Sequence, residues 1–120
     1  MPSAAGAPPV GPYTPVVRAG DWLICSGQLG LEGETLVEGV TAQVAVAVAR
    51  LAALLEGEGA SLADVAKTTV FLVDIADYAE MNAAYVAAFG AVRPARSAVA
   101  VAGLPLGARV EIEAWAHRPG

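Results

Sequence analysis

A helical repeat set between strand-like segments constrains the fold of this chain most strongly. Within residues 40–57, large apolar residues recur at spacings of four, three and four. They are Val44, Val48, Leu51 and Leu55. This spacing places them on one face of an α-helix, and such a face must be buried.

Strand patterns flank this helix on both sides. Residues 16–18 and 22–27 read as two strands joined by a tight turn, and residues 68–73 form a β-branched and aromatic strand. The glycine-rich and glutamate-rich segment 30–39 predicts a loop or mobile edge. Residues 61–64 resemble a capped short turn.

A second helix and two final strands complete the pattern. Asp77, with Glu80 three residues later, resembles a capping box and predicts a helix that ends at Gly90. Strands follow at residues 94–101 and 109–114. The order β-β-α-β-α-β-β predicts an α+β domain, with a largely antiparallel sheet and both helices on one face.

The last two strands predict that a cation and a carboxylate share one hairpin. With residues 102–108 as the turn, Arg96 and Glu111 fall nearly opposite each other. Two interpretations are open for this pair. It is either a salt bridge across a solvated face or a site in which both groups act on one substrate.

Composition bounds the domain and its partners. The 120 residues predict one domain at 11–118, after a flexible tail at 1–10 that is rich in Pro, Gly and Ala. The chain is 56% hydrophobic and 16% charged. Because a small monomer needs polar groups to cover its surface, we expect an oligomer that buries a second apolar face.

Charge and rare residues exclude several classes of function. A net charge of -5 argues against a nucleic-acid partner. A lone Cys25 and a lone His117 rule out an intrachain disulfide and a Cys/His zinc cluster, and Cys25 is expected to be a small buried hydrophobe. With no leader pattern and no uncharged run of membrane-spanning length, the sequence predicts a cytoplasmic protein without a membrane partner.

Three polar residues remain ambiguous from the sequence. Asn82 is either a helix-surface amide or an inward-pointing hydrogen-bond donor. Tyr13 is a packing or a site residue, and Ser26 is a site residue or a strand hydroxyl bonded to backbone.

Short motifs in a fixed order resemble a known family. They are Gly11-Pro12-Tyr13-Thr14, Ser26-Gly27-Gln28, residues 65–72, Asn82 with Tyr85 and Phe89, Pro94-Ala95-Arg96-Ser97, Leu104-Pro105 and Val110-Glu111-Ile112-Glu113-Ala114. Together they span nearly the whole chain and closely resemble the reactive intermediate deaminase family, also called the YjgF or RidA family.

The resemblance implies a fold and an activity. The fold is chorismate-mutase-like and forms a homotrimer with active sites between subunits. The activity is hydrolysis of reactive enamines and imines, such as 2-aminoacrylate, to 2-keto acids and ammonia. Such an enzyme is a hydrolase acting on C–N bonds, of the 2-iminobutanoate/2-iminopropanoate deaminase type, and it needs neither a metal nor an organic cofactor.

Residue roles follow from the same resemblance. Arg96 clamps the substrate carboxylate with its planar guanidinium, and Glu111 positions or activates the attacking water. Tyr13, Ser26 and Asn82 shape the cleft and line it with polar groups. The backbone at Ala98 helps to hold the substrate amino group.

Departures from the family leave alternatives open. Ala98 stands where many active members have cysteine, Arg50 stands where asparagine is usual, and the 30–39 loop is shorter than typical. One alternative function is a non-catalytic, carboxylate-binding or regulatory trimer. A lower-ranked one is an endoribonuclease, which the single histidine and the negative charge disfavour.

Overall fold

The computed structural model describes residues 11–120, which contain seven strands and two α-helices. The elements are β1 Val16–Ala19, β2 Trp22–Leu29, β3 Leu31–Glu32, β4 Thr35–Leu36, α1 Val40–Gly57, β5 Val65–Leu72, α2 Tyr78–Phe89, β6 Ala95–Ala100 and β7 Val110–His117. The predicted tail at residues 1–10 lies outside the described residues.

A five-stranded mixed sheet carries the domain, in the order β1-β2-β7-β5-β6. Only the β5–β6 pair is parallel among the strand pairs of the described residues. The core lies between one face of this sheet and both helices, and Leu51, Met81 and Ile112 are fully buried there. The predicted α+β fold with both helices on one face is therefore confirmed.

Helix α1 begins and ends where the apolar repeat predicts. Its predicted stripe is buried against the sheet, together with Val40 and Ala47. By length and composition alone this helix could also cross a membrane. Its apolar stripe is buried against the sheet, as in the core helix of a folded domain.

The predicted hairpin of the last two strands is wrong. Strand β6 pairs with β5, and β5 separates it from β7. Residues 101–109 therefore cross over β5 instead of making a tight turn, and Arg96 has Thr68 as its strand partner. Periodicity in the sequence identifies the face of a strand but not its neighbour.

Two local predictions also need correction. Asp77 makes no cap bond to α2, because both of its carboxylate oxygens accept from Arg109, at 2.8 and 2.9 Å. The Glu80 carboxylate accepts from the hydroxyl and N–H of Thr41 on α1. The predicted 30–39 loop contains the small hairpin β3–β4.

Candidate functional site

Glu111 lies on the sheet face that points away from the helices. Its neighbours on β7, Val110 and Ile112, are fully buried on the helix side, so the alternation of the strand turns Glu111 outward. A shift in the β2–β7 register between Cys25 and Gln28 places Gly27 against it. A Cβ at Gly27 would lie 1.8 Å from the Glu111 Oε2 atom, so the carboxylate can keep this position only if residue 27 is glycine.

A pocket of about 220 Å³ opens beside this carboxylate. Tyr13, Ser26 and Gly27 line it with Glu111, and we call these residues the carboxylate half-site. Leu29 and Pro105 complete the wall. The structure thus brings together three of the residues that the sequence selected.

Ser26 has a structural bond as well as a place in the pocket. Its hydroxyl donates to the Thr14 carbonyl at 2.7 Å, and its N–H donates to the Pro15 carbonyl at 2.8 Å. These bonds tie the segment that carries Tyr13 to β2. The strand-hydroxyl interpretation is therefore confirmed, and Ser26 also fixes one wall of the pocket.

The environment of Glu111 favours its protonated form. Burial raises the pKa of its carboxyl above the ordinary 4.5, and the negative charge of Glu113 raises it further. A carboxylate shifted in this direction is better matched to accepting a proton near neutral pH.

Arg96 occupies a different environment, on the helix side of the sheet. Its guanidinium donates to the Tyr78 hydroxyl at 3.0 Å and contacts the Met81 sulfur at 3.8 Å. Its central carbon lies 5.6 Å from the ring centre of Tyr78 and 5.0 Å from that of Tyr85. These contacts hold the cation between two aromatic rings of α2.

Asn82 lies on the same side of α2 as Tyr78 and Tyr85, because it follows Tyr78 by four residues and precedes Tyr85 by three. Its Oδ1 atom is buried and has no hydrogen-bond partner within residues 11–120. The burial of this atom favours the inward-pointing interpretation, although the atom that is buried is the amide oxygen, which accepts a hydrogen bond and does not donate one. We call Tyr78, Met81, Asn82, Tyr85 and Arg96 the arginine half-site.

Ala98 follows Arg96 on the same face of β6 and packs against the core. The N–H of Val101 donates to the Leu72 carbonyl on β5. Because alternate residues of a strand direct their backbone groups to the same side, the N–H and C=O of Ala98 point to the outer edge of the sheet. They are available to a ligand at that edge.

The two half-sites of one chain are far apart. Arg96 and Ala114 both pair with Thr68, whereas Glu111 pairs with Phe71. The Arg96 and Glu111 positions are thus two strands and three residues apart, about 14 Å between Cα atoms. Their side chains also leave opposite faces of the sheet.

The sequence did not predict that Gly27 lies against Glu111 or that Tyr78 binds Arg96. Gly27 had a usable signal, because a glycine inside a strand often marks a bulge or a close backbone approach. Tyr78 had none, since its contact with Arg96 joins residues 18 positions apart. Among the described residues, no group of three or more His, Cys, Asp or Glu side chains could hold a metal ion.

Comparisons with known proteins agree with this architecture. The model of the family described as Endoribonuclease L-PSP matches residues 4–118. A 2-iminobutanoate/2-iminopropanoate deaminase of Salmonella typhimurium is 41% identical, covering 91% of this chain and 89% of that protein. A RutC family protein of Pyrococcus abyssi is 40% identical, over 92% and 89% of the two chains.

The fold comparison gives the same family. The crystal structure of RidA from an Antarctic Psychrobacter superposes with a TM-score of 0.91 at 39% identity, covering 98% of this chain and 97% of that one. Because the family model and these relatives cover nearly the whole chain, this protein belongs to the RidA/YjgF family, also described as Endoribonuclease L-PSP.

Proposed function

We propose that this protein is an imine deaminase whose active site combines the arginine half-site of one copy with the carboxylate half-site of another. Its substrates are small 2-imino acids, formed from enamines such as 2-aminoacrylate, and its proposed location is the cytoplasm. The supporting observation is that Arg96 and Glu111 leave opposite faces of one sheet. A substrate of three or four carbons cannot reach both groups within one chain.

The chemistry requires few groups. The enamine tautomerises to an imine, water adds to its C2 carbon, and the resulting carbinolamine loses ammonia to leave a 2-keto acid. In this scheme the Arg96 guanidinium holds the substrate carboxylate. The Glu111 carboxylate takes a proton from the attacking water and returns it to the departing nitrogen.

The remaining site residues have supporting roles in the proposal. Tyr13 and Ser26 shape the cleft around the water. The buried Oδ1 of Asn82 accepts a hydrogen bond from the substrate or a bound water, which would satisfy that atom. The Ala98 carbonyl, directed to the sheet edge, accepts from the substrate amino group.

The outer face of the sheet supports assembly into a homotrimer. This face carries several exposed large apolar side chains of the described residues. They are Val17, Trp22, Val99 and Trp115. Contact with other copies would bury them and would bring the edge of β6 and the Glu111 face of a neighbour together.

The deciding assay follows the decay of 2-aminoacrylate, generated in situ by a threonine dehydratase acting on serine. We expect the wild-type protein to accelerate pyruvate release and Arg96→Ala to abolish the acceleration. Arg118→Ala is the matched control, because its side chain is half exposed and makes only a 3.7 Å ion pair with Asp64. No acceleration by the wild-type protein would contradict the proposed activity on this substrate.

A complementation experiment tests the shared site. Arg96→Ala and Glu111→Gln are each expected to be inactive. When the two chains are co-expressed in equal amounts and mix at random, a site between subunits is intact in about a quarter of cases, so about a quarter of wild-type activity should return. A site within one chain would give no recovery.

The alternative functions make different predictions in these assays. A carboxylate-binding or regulatory trimer would bind pyruvate or 2-oxobutanoate through Arg96 without accelerating imine decay. An endoribonuclease would cleave RNA. The lone His117 disfavours that activity, because it packs against Trp22 at the far end of β7, about 20 Å along the strand from Glu111.

A further inference from the structure

We propose that Arg50 and Gln28 are positioning residues that hold the Ser26–Gly27 backbone against Glu111. The proposal deepens the proposed deaminase function and rests on it. Neither side chain lines the pocket of the carboxylate half-site. Their effect passes through the irregular part of β2.

A short chain of hydrogen bonds joins helix α1 to this part of β2. The Nε of Arg50 donates to the Gln28 Oε1 atom at 3.0 Å, and its Nη1 donates to the Leu31 carbonyl at 3.2 Å. The Gln28 amide nitrogen then donates to the Ser26 carbonyl at 3.1 Å. We call this chain of bonds the Arg50–Gln28 relay.

Burial makes the relay stiff. Gln28 is only 5% exposed, so its amide could not exchange these partners for water without cost. Both ends of the amide are engaged, the oxygen by a charged donor and the nitrogen by a backbone acceptor. The orientation of the amide is therefore fixed, and with it the peptide group between Ser26 and Gly27.

The relay ends at the point where Glu111 touches the backbone. The register shift between Cys25 and Gln28 frees Ser26 and Gly27 from regular pairing with β7. Such an irregular stretch needs side-chain support, because it has lost ladder hydrogen bonds. Gly27 lies directly against the Glu111 carboxylate, so movement of this stretch changes the position and hydration of that group.

The test compares Arg50→Ala, Gln28→Leu and the double variant with wild-type protein. We expect each single variant to lower kcat roughly tenfold and to change KM by less than about threefold, because Arg96 still holds the substrate. If both residues act through one relay, the double variant should lose little more than either single one. Arg50→Lys, whose ammonium can reach one acceptor of the two, should recover part of the loss.

A second measurement does not depend on turnover. Carbon-13 NMR of labelled glutamate gives the Glu111 titration directly, with Glu111→Gln to assign the signal. The other titratable groups that face Glu111 are Glu113, whose negative charge raises the Glu111 pKa, and Tyr13, which lines the same pocket. Both residues are unchanged in the variants. We expect the raised pKa of Glu111 to move down toward 4.5 in Arg50→Ala, while Arg118→Ala leaves it as in wild type.

The outcomes separate this proposal from the proposed function. Wild-type protein that accelerates no imine decay overturns the deaminase, while the NMR titration still tests the relay. An unchanged Glu111 titration in folded Arg50→Ala overturns the relay, as does a double variant whose losses multiply. Should Gln28→Leu fail to fold, Arg50→Ala and Arg50→Lys decide the question, since Arg50 is only partly buried.

Discussion

Gly27→Ala tests the packing of the Glu111 carboxylate with the smallest possible change. The added Cβ would lie 1.8 Å from Oε2 of Glu111, 2.7 Å from its Cδ and 2.9 Å from its Cγ. To reach an ordinary contact of 3.4 Å the carboxylate must move by about 1.6 Å. Since a misplacement of about 1 Å costs about a hundredfold in rate, we expect kcat/KM to fall at least that much.

The fold should survive this change, because the clash involves the end of a flexible side chain. We expect Gly27→Ala to lower the free energy of unfolding by about 1 to 3 kcal/mol, as overpacking does. Gly103→Ala is the matched control, since a Cβ there meets nothing within 4 Å. Pyruvate release from 2-aminoacrylate and urea unfolding are the two measurements.

A double variant identifies the cause of the loss. In the Glu111→Ala background the clashing carboxylate is gone, so Gly27→Ala should cost little stability there. Wild-type activity in Gly27→Ala would refute the reasoning. An equal loss of stability with and without Glu111 would also refute it, because the added methyl group would then clash with something else.

Three further predictions address single groups. Since its pKa is raised, Glu111 stabilises the fold below pH 4.5 and loses that contribution as pH rises through the higher value. Urea unfolding should therefore find Glu111→Gln more stable than wild type at pH 8 but not at pH 4, and equal stability at pH 8 would contradict this. Tyr78→Phe removes the hydroxyl that accepts from Arg96 at 3.0 Å, so KM should rise roughly threefold to tenfold with kcat nearly constant; a loss confined to kcat would argue against this role. Burial, and to a smaller extent the negative charge of Glu58, raises the pKa of Cys25 from 9.0 to about 12. Because the thiolate is the nucleophile, iodoacetamide at pH 8 should alkylate Cys25 about a thousandfold more slowly in folded than in unfolded protein, as measured by mass spectrometry.

Local patterns predicted the helices and strand faces well. The stripe of α1 depends on residues three and four positions apart, and its ends coincide with the predicted ones. The capped turn at Ser61 is likewise local and is confirmed: the Ser61 N–H donates to the Asp64 carboxylate, and the Ser61 hydroxyl accepts from the N–H of Ala63. Such features need no information from distant parts of the chain.

Contacts between residues far apart in the sequence were not predicted correctly. The Asp77 carboxylate was expected to cap its own helix, but it binds Arg109, a residue 32 positions away. The last two strands were expected to pair, but β5 lies between them. In both cases the local pattern identified the helix or strand correctly. The actual partner, Arg109 or β5, lies far away along the chain, and no local pattern reveals it.

The separation of Arg96 from Glu111 has a chemical consequence under the proposed function. Had the two groups formed the expected cross-strand pair, the guanidinium would have lowered the pKa of the carboxyl and occupied it as a salt-bridge partner. The Glu111 carboxylate instead packs against Gly27, and burial and the negative charge of Glu113 raise its pKa. The guanidinium is held by the hydroxyl and rings of α2. The position of the guanidinium and the pKa of the carboxyl are thus set independently of each other. The assembly of two copies would then bring the two groups to opposite sides of one substrate.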